Sequence, residues 1–235
     1  MKMKSNAVIG IQARTSSKRF PNKVMAQISG HPIIEWVVNH CKISGCEVFV
    51  LTSTDPSDDE FVGFLQEKSI SFYRGDLDNV LLRFLNFMNE KDIQKVLRVS
   101  ADSPLIHPAV IEKILVAANT SPEYDVVTNV FPRTFPKGQS VELLSKFAIE
   151  SVSRLSLSTE NKEHISSYIY ANSNEFKIKN IENQKDISSI NLCVDTPEDL
   201  ARLQDIVDLC NFDLEFEGIS WQTFSNSVLA VQKKT

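Results

Sequence analysis

Short apolar runs alternate along this chain with stretches in which apolar residues recur three and four positions apart. The first pattern reads as buried strand, the second as amphipathic helix. Residues 7–11 (Ala-Val-Ile-Gly-Ile) form the first run. Residues 32–44 set Ile33, Ile34, Val37, Val38 and Cys41 on one helical stripe, and Gly45 stops it. A second strand is predicted at 48–51, a helix with an acidic first turn at 57–68, and a third strand at 70–73. Asp76 is placed to cap a helix through Val80, Leu81, Phe84, Leu85 and Met88. A fourth strand at 95–99, a helix at 108–119 opened by proline, and a fifth strand at 124–128 follow. Strands alternating with helices in this way predict βαβ units, hence an α/β fold with a mainly parallel central sheet flanked by helices.

The alternation breaks at 131–138 (Phe-Pro-Arg-Thr-Phe-Pro-Lys-Gly), which is turn chemistry. Beyond it the pattern predicts a strand at 141–144, helices at 145–155 and 161–172, and strands at 176–181 and 190–194. Helices at 197–210 and 218–231 close the chain. No internal repeat interrupts the series. The expectation is one domain over 1–235, with 131–185 as a small inserted lobe for substrate binding or dimerisation.

Composition changes this picture little. With 42% hydrophobic and 23% charged residues in 235, the chain is long enough for one large core and ordinary in make-up. No apolar stretch approaches the roughly 18 residues that span a bilayer, so no membrane association is expected. The apolar run after Met1-Lys-Met-Lys-Ser5 is too short for a secretory signal. Cys41, Cys46, Cys193 and Cys210 lack C-x-x-C spacing and read as reduced thiols of a cytoplasmic protein. A net charge of −5 argues against a nucleic-acid partner, so any bound anion must be held by a local cationic cluster.

Two stretches repeat one motif: an apolar run that ends in aspartate and then proline. Lys95-Val-Leu-Arg-Val-Ser-Ala-Asp102-Ser-Pro104 is one, and Asn191-Leu-Cys-Val-Asp195-Thr-Pro197 the other. Ligands of open α/β sheets bind beyond the carboxyl ends of the strands. Two carboxylates there, on strands running the same way, suit a divalent cation such as Mg²⁺, which takes one or two carboxylates and completes its shell with substrate phosphates. The plainer reading is also open. Thr196, Pro197 and Asp199 are explained as a helix start with a capping box, and Asp102 as a turn residue before Pro104. Asp195 lies outside that cap. A phospho-accepting aspartate on a receiver-type sheet is a third reading, opposed by the basic loop that follows the first strand.

That loop, Gln12-Ala-Arg14-Thr-Ser-Ser-Lys18-Arg19-Phe-Pro-Asn-Lys23, puts four positive charges within ten residues. The first strand–helix connection is a common phosphate-binding place in α/β folds, and Thr15, Ser16 and Ser17 are small enough for close approach. It is neither a Walker A loop nor G-x-G-x-x-G, and a solvated basic loop is the alternative. Tyr73-Arg74-Gly75-Asp76 is a second strand end, where Gly75 allows a tight turn and Arg74 offers a fork to an anion or base edge, or simply flanks a helix cap. His31, His40, His107 and His164 show no metal-ligand spacing, and no G-x-S-x-G elbow is present.

Six stretches together resemble the cytidylyltransferases that activate acidic sugars, most closely the spore-coat polysaccharide cytidylyltransferase-like branch, with the 3-deoxy-octulosonate and sialic-acid enzymes as more distant relatives. They are IQARTSSKRFPNKVM, YRGDLDNVLLRF, RVSADSPLIHPAVI, YDVVTNVFPRTFPKGQSVELL, EHISSYIY and VDTPEDLARL, in family order across most of residues 7–203. The resemblance implies a nucleotide-diphospho-sugar transferase (Rossmann-like) fold, CTP as donor, a small acidic sugar as acceptor, Mg²⁺ and a homodimer.

Carried over residue by residue, Arg14, Arg19 and Lys23 match the family's triphosphate loop, with Gln12, Ala13 and Ser16 beside them. Arg74 and Gly75 match its nucleotide-side turn. Asp102 and Asp195 match its metal ligands, and these two with Arg14 and Lys23 are the expected catalytic set. Gln139, Glu142, His164 and Tyr168 fall where relatives line the sugar pocket. Ser16 and Asn22 stand where relatives often carry glycine, and Asn22 is expected to keep the left-handed turn because asparagine tolerates it. Ala101 replaces a frequent glycine before the metal aspartate, and Ala171 stands where distant relatives have arginine. These departures bear on the acceptor more than on the reaction. A sugar phosphate, alditol phosphate or phosphonate is the alternative acceptor class, and a non-catalytic nucleotide-sugar binder the alternative function.

Overall fold

The computed structural model describes residues 7–156, 158–216 and 218–232. The chain opens with β1 (Val8–Gln12), then a small antiparallel hairpin of β2 (Gln27–Ile28) and β3 (His31–Pro32) leading into α1 (Ile33–Lys42). Then come β4 (Val48–Ser53), α2 (Asp59–Glu67), β5 (Phe72–Gly75), α3 (Val80–Glu90), β6 (Lys95–Ser100), α4 (Pro108–Thr120) and β7 (Val126–Thr128). The later part holds β8 (Glu142–Ser145), α5 (Lys146–Ser153), α6 (Thr159–Glu163), α7 (Ser167–Ala171), β9 (Ile178–Asn180), α8 (Pro197–Cys210) and α9 (Trp221–Gln232).

The main sheet runs β5-β4-β1-β6-β8-β7-β9. β1 pairs in parallel with β4 and β6, β4 with β5, and β7 with β9; β8 runs antiparallel to both its neighbours. The 131–185 segment, expected as a lobe, thus lends two strands to the common sheet and sets α5, α6 and α7 beside it.

The pleat sorts side chains to two cores. Ile9, Ile11, Val50, Leu97, Val99 and Leu143 bury against α1, α4, α8 and α9. Val8, Leu51, Val96, Val126 and Leu144 bury against α3, α5 and α7. Each such aliphatic side chain contributes roughly 1.5–3 kcal/mol of transfer free energy, so this two-sided burial carries the fold.

Several elements differ from their expected form for identifiable reasons. Asp76 does not cap α3: its carboxylate accepts from Asp78 N at 2.9 Å and Asn79 N at 2.7 Å, and Asn79 caps the helix by accepting from Leu82 N. The sequence Asp-Leu-Asp-Asn offers several cap-competent residues, and the one nearest the apolar stripe takes the role. The helix expected over 161–172 splits into α6 and α7 at a turn through Ile165. The strand expected at 190–194 is extended but joins no strand of the sheet. Its backbone bonds instead to a loop: Lys137 N donates to Ile190 O at 2.9 Å, and Leu192 N to Lys137 O at 2.8 Å. The alternation that suggested a strand is real, since Ile190, Leu192 and Val194 are all buried. No disulfide forms among the four cysteines, and Cys41 is completely buried. Among the described residues no helix is long and apolar enough to cross a membrane.

Candidate active site

The parallel strands β1, β4, β5 and β6 deliver their carboxyl ends to one edge, and the loops that leave them meet there. After β1 the chain turns on Thr15, whose carbonyl accepts the amides of Ser17 and Asn22, each at 2.8 Å. Asn22 sits at φ 57, ψ 24, the left-handed conformation expected of it, and opens a short 3₁₀ turn over Lys23–Met25. That turn aims Lys23 at both aspartates. Its Nζ donates to Asp102 Oδ2 at 3.0 Å, to Asp195 Oδ1 at 3.0 Å and to Val194 O at 2.9 Å, which uses all three ammonium protons. Burial works to lower the Lys23 pKa, but Asp102 and then Asp195 outweigh it and raise the value above the ordinary one.

Asp102 and Asp195 therefore converge, although not on two strands as expected. Asp102 follows β6 directly. Asp195 ends the extended segment 190–194, which is pinned by Val194 N donating to Asp102 O at 2.9 Å. Gly138 makes the pinning possible. It sits at φ +89, and a Cβ there would lie 2.6 Å from Leu192 C and O. The capping box at the start of α8 is formed as anticipated: Asp199 Oδ2 accepts from the amides of Thr196 and Asp195, at 3.1 and 3.0 Å.

Arg19, largely exposed, pairs with Asp195 Oδ1 at 3.0 Å, and Arg14 pairs with Glu163 at the end of α6. Ser16 is exposed on the same loop and the Ala13 side chain is buried under it. The structure thus gathers Arg19, Lys23, Asp102 and Asp195 at one point, while Arg14, on the same loop, is held by Glu163. Arg74 is committed elsewhere: its guanidinium donates to Ser53 O at 2.7 Å and Asp55 O at 3.2 Å, and pairs with Asp59 at 2.6 Å. Gly75 is needed where it stands, since a Cβ would meet Arg83 Cγ at 2.8 Å.

Of the residues expected around the sugar, Glu142 belongs to a second, buried group. Gln12 accepts from Arg98 Nε at 3.0 Å, and Arg98 forms an ion pair with Glu142 on the adjacent strand. Tyr170 donates to Glu142 Oε1 at 2.5 Å and lies 3.0 Å from Thr128 Oγ1. Burial works to raise the Glu142 pKa, but Arg98 and the hydroxyls of Tyr170 and Ser166 hold it below the usual carboxylate value. Phe131 stacks on Tyr170 with ring centroids 4.8 Å apart. Tyr168 is half-buried and His164 exposed on the turn between α6 and α7. Gln139 is completely buried. Its amide accepts from His107 N at 2.9 Å and donates to Leu105 O at 2.5 Å, so it braces the loop that carries Asp102.

Two residues that the sequence reading missed sit under the first loop. Asp58, from the β4–α2 connection, and Arg83, from α3, are both completely buried. Arg83 donates to Asp76 O, Leu77 O and Leu51 O at 2.7–3.2 Å, and burial pushes its pKa down to about 10. The signal for Asp58 lay in the run Thr-Ser-Thr-Asp-Pro-Ser-Asp after an apolar strand, too polar to leave the core without a partner.

The donor set fits a hard cation. Two carboxylates meet at a single ammonium, so their oxygens already share one positive charge. Among the described residues no group of three or more His, Cys, Asp or Glu is arranged to hold a metal ion; a Mg²⁺ site commonly takes one or two carboxylates and completes its shell with phosphate and water.

A family model described as cytidylyltransferase matches residues 7–222. The spore coat polysaccharide biosynthesis protein SpsF of Bacillus subtilis is 22% identical over 204 residues, covering 83% of each chain. Among solved structures, a cytidylyltransferase from Leptospira borgpetersenii superposes with a TM-score of 0.88 at 24% identity, over 98% of this chain and 95% of that one. A CMP:2-keto-3-deoxy-manno-octonic acid synthetase complexed with CTP superposes with a TM-score of 0.68 at 20% identity, over 86% of this chain and 98% of that one. At these identities the structural likenesses establish the fold, that of the nucleotide-diphospho-sugar transferases.

Proposed function

The chain belongs to the cytidylyltransferase family, and from that premise we propose that it transfers CMP from CTP to an acidic sugar, a 2-keto sugar acid of the octulosonic or nonulosonic kind, for surface polysaccharide synthesis. The observation that carries this reading is the convergence of Asp102 and Asp195 on Lys23, each at 3.0 Å, with Arg19 paired to Asp195. The relative named for spore coat polysaccharide and the fold neighbour that binds CTP support the donor and the pathway class.

In the proposed reaction the anomeric hydroxyl of the acceptor attacks the α-phosphorus of CTP in line. The bond from that phosphorus to the bridging oxygen breaks, pyrophosphate leaves, and the hydroxyl proton is lost to solvent. Positioning and charge stabilisation are the protein's main tasks in such transfers. Arg14, Arg19 and Lys23 grip the triphosphate and stabilise the leaving pyrophosphate. Asp102 and Asp195 would hold Mg²⁺, which when bound neutralises phosphate charge and makes the attacking hydroxyl more acidic. Glu142, His164 and Tyr168 line the acceptor side, with Arg98 and Tyr170 keeping Glu142 in place, and Gln12 stays with the nucleotide loop, its side chain held by Arg98.

The purified chain, offered CTP, UTP, GTP or ATP with a panel of 2-keto sugar acids, sugar phosphates and alditol phosphates, is expected to release pyrophosphate only with CTP and a sugar acid. Release with the phosphorylated acceptors alone would overturn the acceptor assignment. CTP binding without turnover on any acceptor would overturn the enzyme reading.

A further inference from the structure

The loop that carries Arg14, Arg19 and Lys23 is suspended from a side chain the reaction chemistry does not use. Asp58 has no exposed surface. Its Oδ1 accepts from Thr15 N at 2.9 Å and from Thr15 Oγ1 at 2.6 Å. Its Oδ2 accepts from Thr52 Oγ1 at 2.8 Å, from Ser53 N at 3.0 Å and from the Ser53 hydroxyl. Burial works to raise the pKa of this carboxyl, but the donors, Ser53 and Thr15 foremost, hold it below the usual range. A carboxylate offers about four lone-pair directions, so five donors leave it saturated and unable to serve a ligand.

We propose that Asp58 is the positioning residue of the phosphate-binding loop, acting through Thr15. The proposal rests on reading that loop as the triphosphate cradle. One oxygen of Asp58 is locked to the end of β4, so the other is a fixed point in the sheet. Thr15 is bound to that point by both backbone and side chain. The Thr15 carbonyl in turn accepts the amides of Ser17 and Asn22, which closes the loop and sets the turn from which Lys23 projects. Arg14 is the neighbour of the anchored residue. Arg83 steadies the preceding step, donating to Leu51 O at 3.2 Å and Ala13 O at 3.5 Å. Both ends of the cationic loop thus take their direction from one buried carboxylate on another strand's connection. Losing it would blur phosphate geometry while leaving the cytidine end of the ligand untouched.

The test compares affinities for CTP, CMP and inorganic tripolyphosphate by calorimetric titration in wild type, Asp58→Asn, Thr15→Val, Thr15→Ser and the Asp58→Asn/Thr15→Val pair. Asp58→Asn is expected to weaken CTP and tripolyphosphate roughly tenfold or more, the scale of one charged hydrogen bond, and CMP less than about twofold. Thr15→Val, which keeps the amide contact, is expected to show a smaller loss of the same selectivity, and Thr15→Ser to restore wild-type affinity. The double variant should be no weaker than Asp58→Asn, because both act through one contact. Equal losses for CTP and CMP, additive losses, or unchanged CTP affinity in a folded variant would overturn the proposal. Should Asp58→Asn fail to fold, Thr15→Val decides: selective loss supports the role and unchanged affinity ends it. Wild type that binds tripolyphosphate but not CTP would defeat the cytidylyltransferase reading while leaving the Asp58 comparison readable. Wild type that binds neither would defeat both.

Discussion

Replacing Asp102 by asparagine tests the central arrangement, because it is expected to move two observables in opposite directions. The Lys23 ammonium spends its three protons on Asp102, Asp195 and Val194 O, and the side chains of Lys23, Asp102 and Asp195 are 13%, 22% and 32% exposed. At 3.0 Å the gross attraction of one pair is about 5 kcal/mol at an effective dielectric of ~20. Desolvation offsets most of it, and a charged hydrogen bond contributes a net ~1.5–3 kcal/mol. Asparagine keeps an acceptor oxygen, so the loss in stability is about 1–2 kcal/mol, or a Tm drop of roughly 2–8 °C for a chain of this size. The variant therefore stays folded. In EDTA, CTP should bind as well as or better than to wild type, because a negative charge has left the neighbourhood of an anionic ligand and Lys23 is less tightly held. With Mg²⁺ present, turnover should fall by roughly 10²–10³ and half-saturation should need more metal. Calorimetry in EDTA and a pyrophosphate-release assay across a Mg²⁺ titration read the two effects. Turnover within threefold of wild type, or weaker CTP binding in EDTA, would refute the electrostatic reasoning.

Three further outcomes follow from the same geometry. Glu163→Gln releases Arg14 from its ion pair, and since both partners are partly exposed the gain in CTP affinity should be only a few-fold, lost by 0.5 M salt; an unchanged Kd would show that Arg14 does not face the nucleotide. Gly138→Ala must place a Cβ 2.6 Å from the Leu192 backbone at φ +89, and should cost about 2–4 kcal/mol with a matching Tm fall, whereas a neutral effect would disprove the close packing of 190–194. Acid should destabilise the fold in two stages read as Tm against pH. His40 and His107, pushed down to about 3 and about 4 by burial, stay neutral when folded but protonate near 6.5 when unfolded, so stability drops from about pH 6.5 downward by up to about 1.4 kcal/mol per pH unit for each ring. Asp58 and Glu142, held below 3.8 and 4.5, add a further loss only below those values. A flat Tm between pH 6.5 and 5 would contradict the buried neutral rings.

What could be read from the sequence divides along a physical line. β1, β4 and β6 were visible because buried parallel strands are apolar throughout and end at polar punctuation. α8 was placed at its true bounds because Thr196-Pro197-Glu198-Asp199 is a local signal, complete within one turn. The left-handed Asn22 was likewise a property of one residue. What escaped depends on partners far along the chain. The segment 190–194 alternates like a strand, and only the fold reveals that a glycine-lined loop at 137–138, not a sheet edge, receives it. Gln139 looked available to a ligand until the 105–107 loop claimed both its amide atoms. Asp58 and Thr15 lie 43 positions apart, and a polar contact at that separation leaves no periodic trace. His40 is similar: its ring is buried against Trp36 and Phe216, facing the carbonyls of Pro104, Ile106 and Leu214 without closing a hydrogen bond of normal geometry.

The charge pattern around the first loop bears on the proposed metal. The site's charges are paired from within: Lys23 by Asp102 and Asp195, Arg19 by Asp195, Arg14 by Glu163. A triphosphate entering alone would have to break these pairs and then lie beside two carboxylates, so little net attraction is available. Asp102 and Asp195 would hold a divalent cation entering with it, and that charge would offset their repulsion of the phosphates and leave Lys23 free to bind them. Binding would then exchange ion partners rather than create new ones. That account requires CTP and Mg²⁺ to bind with positive coupling, each raising the affinity of the other by the same factor. Independent binding of the two, measured in a reciprocal titration, would leave Lys23 without a reason to stand between the aspartates.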